Sequence, residues 1–232
     1  MYTPMFFEVD SEMIPPFELP LDTSNIGETL TKQLEHILDT EEKTIMEMYP
    51  AFTNKYTNEN PESDSGLEDW VTNRAFEYNL LNMSGKYPEL NLLKQKILES
   101  YRTYASEMHL TPTKVYIQVW FNVLRKNGRF FTKHHHAHPS RLGDPKQAYV
   151  SGHICIRADN THTYYYSPYL QEQRNGLKNI PGTLTLFPSW VLHSTDQNIS
   201  DQTRLTIAFD IITEKTFLER KMDNPDNYIE LA

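Results

Sequence analysis

After Pro112 the chain begins to alternate, and that alternation constrains its fold more than any other feature. Val115, Ile117, Val119 and Phe121 fall in one phase, and Tyr116, Gln118 and Trp120 in the other. Side chains two apart on a strand share a face. Residues 115–121 therefore read as a strand with one aliphatic and one mixed face. The same period returns at 204–212, where Leu205, Ile207 and Phe209 oppose Arg204, Thr206 and Ala208. Between these runs, 130–138, 149–157, 163–166 and 183–187 read as further strands, with Asn127-Gly128 marking a tight turn. Six or more short strands separated by polar loops predict an antiparallel sandwich or barrel.

The first half of the chain is patterned differently. Residues 5–21, broken by Pro15, Pro16 and Pro20, predict one strand and an irregular connector. Ile26, Leu30, Leu34, Ile37 and Leu38 recur at helical spacing, with Ser24 or Asn25 placed to cap the helix. Residues 52–66 are polar and predict a loop. Residues 67–83 predict a helical start at Leu67, Trp70 and Val71 that then loses regularity. Pro88 opens a stronger helix with Leu90, Leu93, Ile97, Tyr101, Tyr104 and Met108 on one face. Such helices need a sheet to cover, and the aliphatic strand faces supply it. The whole reads as one domain over 1–232. An N-terminal strand and supporting helices fill 1–112, the β core 113–213, and a charged tail 214–232, a short helix that then frays.

Composition narrows the function classes. Twenty-two basic residues against 31 acidic ones give a net charge of -9, which opposes a broad phosphate-binding face. Arg125, Lys126, Arg129 and Lys133 form a local basic group best read as a solvated turn. Cys155 is the only cysteine, so neither an intrachain disulfide nor a cysteine zinc site is expected. There is no secretory signal pattern and no run of the ~18 apolar residues needed to cross a bilayer. The expectation is a soluble, cytoplasmic protein without a membrane partner.

The chemistry concentrates in His134-His135-His136-Ala137-His138, which holds four of the nine histidines. On a strand His134, His136 and His138 share a face and His135 points away. An H-x-H pair can present two imidazoles to one ion, and neutral imidazole suits iron, copper, zinc or nickel. A third ligand must come from another strand. His193, at the end of the apolar run Phe187-Pro188-Ser189-Trp190-Val191-Leu192, is the natural candidate. Arg204 and Thr206 share the inward phase of the last strand. A buried guanidinium needs an acidic partner, and a carboxylate ligand would supply one. Tyr116, Gln118, Tyr149 and Ser151 also fall on inward phases, where they contact a ligand or fill the barrel.

Three elements carry a resemblance. They are His136-Ala137-His138-Pro139 followed by Ser151-Gly152; Gly182-Thr183-Leu184-Thr185-Leu186-Phe187-Pro188-Ser189-Trp190-Val191-Leu192-His193; and Arg204-Leu205-Thr206. Here the chain resembles the 2-oxoglutarate/iron(II)-dependent dioxygenases over about 67–213. It looks most like a branch of oxygenases common in cyanobacterial viruses and marine bacteria. The resemblance implies a double-stranded β-helix (jelly-roll) core packed against the N-terminal helices. It implies Fe(II) on His136, His138 and His193, and 2-oxoglutarate gripped by Arg204 and Thr206, with Tyr149 and Gln118 as further contacts. It also implies O2 as the oxidant, succinate and CO2 as co-products, and a hydroxylated substrate. The wider superfamily places a carboxylate where His138 stands. Either three imidazoles bind the metal or a carboxylate such as Asp144 or Asp196 joins it, and His134 is either a bystander or an alternate ligand. By analogy the substrate is a peptidyl side chain such as proline, or a small molecule, rather than nucleic acid. A virus-encoded enzyme acting in a host cell fits the branch. The competing readings are a cupin-like three-histidine dioxygenase that needs no 2-oxo acid, and a non-catalytic jelly-roll binding protein.

Overall fold

The alternating run at 115–121 becomes part of the strand on which a large sheet is built. The computed structural model describes residues 19–48, 70–72, 79–110, 113–126, 133–136, 150–167, 173–220 and 228–232. Its strands are β1 (Asp22–Asn25), β2 (Trp70–Thr72), β3 (Val115–Leu124), β4 (Val150–Arg157), β5 (His162–Tyr166), β6 (Arg174–Lys178), β7 (Thr183–Pro188), β8 (His193–Thr195), β9 (Arg204–Thr213) and β10 (Ile229–Glu230). The helices are α1 (Glu28–Met48), α2 (Glu89–Glu107) and α3 (Glu214–Arg220), with a 3₁₀ turn at Leu80–Gly85. The major sheet runs β1-β7-β4-β9-β3-β10, with β2 also on β3; the minor sheet runs β6-β5-β8. Each pairing is antiparallel. The architecture is the expected mainly-β double-stranded β-helix with helices on one face.

The two phases of β3 and β9 divide the molecule. Val115, Ile117, Val119, Phe121 and Val123 of β3 join Leu205, Ile207, Phe209 and Ile211 of β9 in one buried cluster. Leu30, Leu34, Ile37 and Leu38 of α1, and Leu90, Leu93, Ile97, Tyr101 and Tyr104 of α2, close that cluster from outside. Each fully buried aliphatic side chain there contributes about 1.5–3 kcal/mol by leaving water. The opposite phase (Gln118, Trp120 and Asn122 of β3, Arg204, Thr206, Ala208 and Asp210 of β9) faces the minor sheet. A smaller cluster of Leu19, Leu21, Tyr165, Phe187 and Val191 seals the space between the sheets at one side, with Trp190 packed against it as wall.

Four expectations are corrected. Residues 70–72, expected within a helix, form β2 and pair with 122–124 of β3. Ser24 and Asn25, expected at a helix cap, close β1, which pairs with β7. The helix starts three residues after Asn25, whose Oδ1 accepts from the backbone N–H of Gly27 at 2.7 Å; Gly27 has φ +92, a conformation natural to glycine. The tail returns to the sheet as β10, with Ile229 opposite Ile117. Of the expected strand at 130–138, residues 133–136 are described, and they hold a single bridge, His134 to His193. The turn at Asn127-Gly128 and residues 5–18 of the stretch 5–21, expected to hold one strand and a connector, lie outside the described residues.

Candidate active site

The bridge that crosses from the histidine-rich segment to β8 assembles the site. His134 N–H donates to the carbonyl of His193, and His193 N–H to that of His134, each at 2.9 Å. His136 N–H donates to the Ser189 carbonyl at 2.9 Å. Backbone pairing thus fixes where three imidazoles start from. One ligand atom from each of His134, His136 and His193 lies within 4.8 Å of the others. His138, expected in this set, lies outside the described residues, as do Tyr149 and Asp144. Asp196 is not part of the cluster. Its Oδ2 accepts from the backbone N–H of His162 at 2.8 Å and pairs with the His162 ring at 3.1 Å. His135 is not part of the cluster.

The imidazoles are oriented from behind. His136 Nδ1 lies 2.8 Å from Oδ1 of Asp210, a carboxylate with no exposed surface. A carboxylate only accepts, so Nδ1 carries the proton and Nε2 presents its lone pair. Ser151 donates to the same Asp210 oxygen at 2.6 Å and stands 2.9 Å from Ser189 Oγ. His193 Nδ1 donates to the Val191 carbonyl at 3.1 Å, again freeing Nε2. Burial, with His134 and His136 beside it, holds the His193 ring well below the ordinary histidine range, and the ring stays neutral. Neutral, oriented imidazoles are what a metal needs. Asp210 escaped the sequence reading although its signal was present: it continues the phase of Arg204, Thr206 and Ala208.

Deeper between the sheets lies a second polar group. Arg204 is 3% exposed, and its Nε and Nη1 have no hydrogen-bond partner among the described residues. Only Nη2 reaches a hydroxyl, Thr163 Oγ1, at 3.3 Å. Thr206 Oγ1 is also buried without a partner, as is Oδ1 of Asn122, which stands opposite Thr206 in the β3–β9 register. A buried guanidinium costs several kcal/mol, on the order of the effective penalty for any desolvated ion, unless an anion meets it. Two orphaned N–H groups beside an orphaned hydroxyl fit a carboxylate by fork and hydroxyl contact. Gln118 is buried on the same face, but it pairs in register with Asp210 and so sits at the histidine end, away from Arg204. Of the basic group near the β3 end, Arg125 pairs with Glu42, Lys126 with Asp201, and Lys133 lies over the Tyr166 ring, while Arg129 lies outside the described residues.

Comparison with known proteins places the chain. Residues 118–210 match the model of the family described as "Putative 2OG-Fe(II) oxygenase". Three solved structures share the fold. EctD from S. alaskensis with bound Fe aligns at TM-score 0.55 and 12% identity, over 84% of this chain and 73% of that one. A Pseudomonas putida prolyl-4-hydroxylase aligns at 0.52 and 11%, over 84% and 94%. The alpha ketoglutarate dependent carbocyclase SnoK from nogalamycin biosynthesis aligns at 0.50 and 13%, over 84% and 80%. No curated protein sequence matches. The fold is the double-stranded β-helix of these three structures, and residues 118–210 within it are similar to the 2OG-Fe(II) oxygenases, a family that uses Fe(II), 2-oxoglutarate and O2. The donor set fits that chemistry: a histidine triad for the metal, and a buried guanidinium without an anion for the co-substrate.

Proposed function

We propose that this chain hydroxylates its substrate with Fe(II) held by His134, His136 and His193 and 2-oxoglutarate held by Arg204 and Thr206. The observation that carries the assignment is the convergence of the three imidazoles, each of the two buried strand-end rings tied at Nδ1, on one face with the orphaned Arg204. Bound iron would supply the activation of dioxygen, with 2-oxoglutarate as the electron source and succinate and CO2 as products. The protein's own residues do the rest. Asp210 and Ser151 fix the His136 ring. Arg204 and Thr206 grip the distal carboxylate of the co-substrate and set its approach. Phe187 of the major sheet and Tyr165 of the minor sheet pack edge to face beside the His193 ring and wall the site from water there.

His138 was the expected third ligand. His134 takes that role in the present reading because it meets His193 through two backbone hydrogen bonds and lies in the cluster. A peptidyl side chain is the substrate class put first, by analogy with the prolyl-4-hydroxylase that shares the fold. The net charge of -9 counts against nucleic acid.

Anaerobic addition of Fe(II) and then 2-oxoglutarate tests the assignment. The expected result is a weak visible charge-transfer band that is lost in His134→Ala, His136→Ala, His193→Ala and Arg204→Ala. A band that survives His134→Ala and vanishes in His138→Ala would move the third ligand to His138. No band in the unmodified protein would remove 2-oxoglutarate from the mechanism. Aerobic incubation with candidate peptides then reads hydroxylation as a gain of one oxygen by mass, with succinate released in step.

A further inference from the structure

Between the histidine triad and Arg204 stands one more polar side chain, the half-buried His153. Along β4 the inward residues are Ser151, His153 and Cys155, which face Asp210, Ala208 and Thr206 of β9 in turn. His153 therefore occupies the middle step between the metal end and the guanidinium end. Its Nε2 lies 2.7 Å from the hydroxyl of Tyr165, which is fully buried. Its Nδ1 is buried and has no partner among the described residues.

The proton on that ring can be placed. Burial holds the Tyr165 phenol far above its ordinary range, so it stays protonated and must donate. Donated to His153 Nε2, 2.7 Å away, the Tyr165 proton makes that nitrogen an acceptor. Burial, with Arg204 and His136 close by, pushes the His153 imidazole down to about 3, so the ring is neutral. A neutral ring that accepts at Nε2 carries its single proton on Nδ1. That N–H has no acceptor among the described residues.

We propose that His153 is a third anchor for the 2-oxo acid: Tyr165 locks it in the Nδ1–H tautomer, and that N–H donates to a carboxylate or keto oxygen of the bound co-substrate. The inference rests on the assignment of Arg204 as the co-substrate grip. It adds a directional donor midway along a dicarboxylic ligand. A hydrophobic residue at 153 would leave the ligand's oxygen unpaired in a water-excluded space.

Substitutions separate the two ring nitrogens. Asparagine places its amide where Nδ1 stands, and glutamine reaches the place of Nε2. The readout is the dissociation constant for 2-oxoglutarate, from the charge-transfer band of the anaerobic iron-loaded protein. Iron(II) affinity without 2-oxoglutarate is measured in parallel on the same variants. His153→Asn is expected to bind 2-oxoglutarate within about threefold of the unmodified protein. His153→Gln and His153→Leu are expected to bind it about ten- to a hundredfold more weakly, the worth of a hydrogen bond to a charged group. Iron affinity should be unchanged in all three. If asparagine weakens 2-oxoglutarate as much as leucine does, or if glutamine binds like the unmodified protein, the proposal falls, and His153 is only a structural partner of Tyr165. Should His153→Leu fail to fold, the asparagine and glutamine variants decide alone. A wild-type 2-oxoglutarate affinity in Arg204→Ala overturns the underlying assignment, and His153's role with it. Loss in Arg204→Ala with no loss in any His153 variant overturns this inference alone.

Discussion

Asp210 is the residue that would turn the cluster of histidines into the proposed metal site. The proposed three-imidazole set would lack the charged ligand that the wider superfamily uses, and the buried carboxylate on the back of His136 would partly restore that negative charge. Asp210→Asn keeps an acceptor for His136 Nδ1 but removes the charge; Asp210→Leu removes both. Iron(II) affinity is expected to fall about tenfold in the first and about a hundredfold in the second, within the usual range for partners of metal-bound histidines. Anaerobic titration with iron(II) or cobalt(II) reads this directly. Equal affinity in all three proteins would show that Asp210 only fills space. Ser151→Ala should cost less, because the carboxylate still meets the ring.

At the scale of elements, the site exists because three strands approach closely enough to share a face. Gly152 on β4 sits opposite Phe209 of β9 and Leu186 of β7. A Cβ at 152 would collide with Cζ of the Phe209 ring and lie 2.6 Å from its Cε2 and 2.8 Å from the Thr185 carbonyl oxygen, the latter a backbone atom that cannot turn away. Gly152→Ala is therefore expected to destabilise by about 1–3 kcal/mol, the usual cost of overpacking. At ~2–4 °C per kcal/mol for a chain of this size, that is a visible drop in Tm. An unchanged Tm by calorimetry would mean the strands have slack. Because 152 lies between Ser151 and His153, a shifted β4 should also weaken 2-oxoglutarate binding. The added strands β2 and β10 show the same dependence on neighbours. Both borrow edges of β3, a residue-by-residue match that no local pattern in 70–72 or 229–230 announces.

Across the whole molecule, the two titratable rings held neutral inside it couple stability to pH. His153 sits at about 3, against 6.5 for a free histidine. Between those values the unfolded chain binds a proton that the folded chain refuses, so lowering pH through this window favours unfolding. His193 is shifted the same way. The metal-free protein is expected to lose Tm as pH falls from about 6.5 toward 4, and His153→Asn should lose less over the same range. Parallel Tm–pH curves for the two proteins would contradict the burial of that ring. No helix among the described residues is long and apolar enough to cross a membrane. Much of this architecture was legible in the chain itself. Period-two alternation told which residues of β3 and β9 face the helices, because strand geometry leaves a side chain only two directions. The same phase set Arg204 and Thr206 inward, and spacing put His134 and His136 on one side. What spacing could not tell was which histidines meet. That depends on the backbone bridge between residues 134 and 193, a contact across 59 positions that costs chain entropy and is bought only by the surrounding sheets. Nor could it show that Asp210 stands behind His136, or that the Tyr165 hydroxyl meets the His153 ring. Those are meetings between strands, and register between strands distant in sequence is settled by the packing of the whole core.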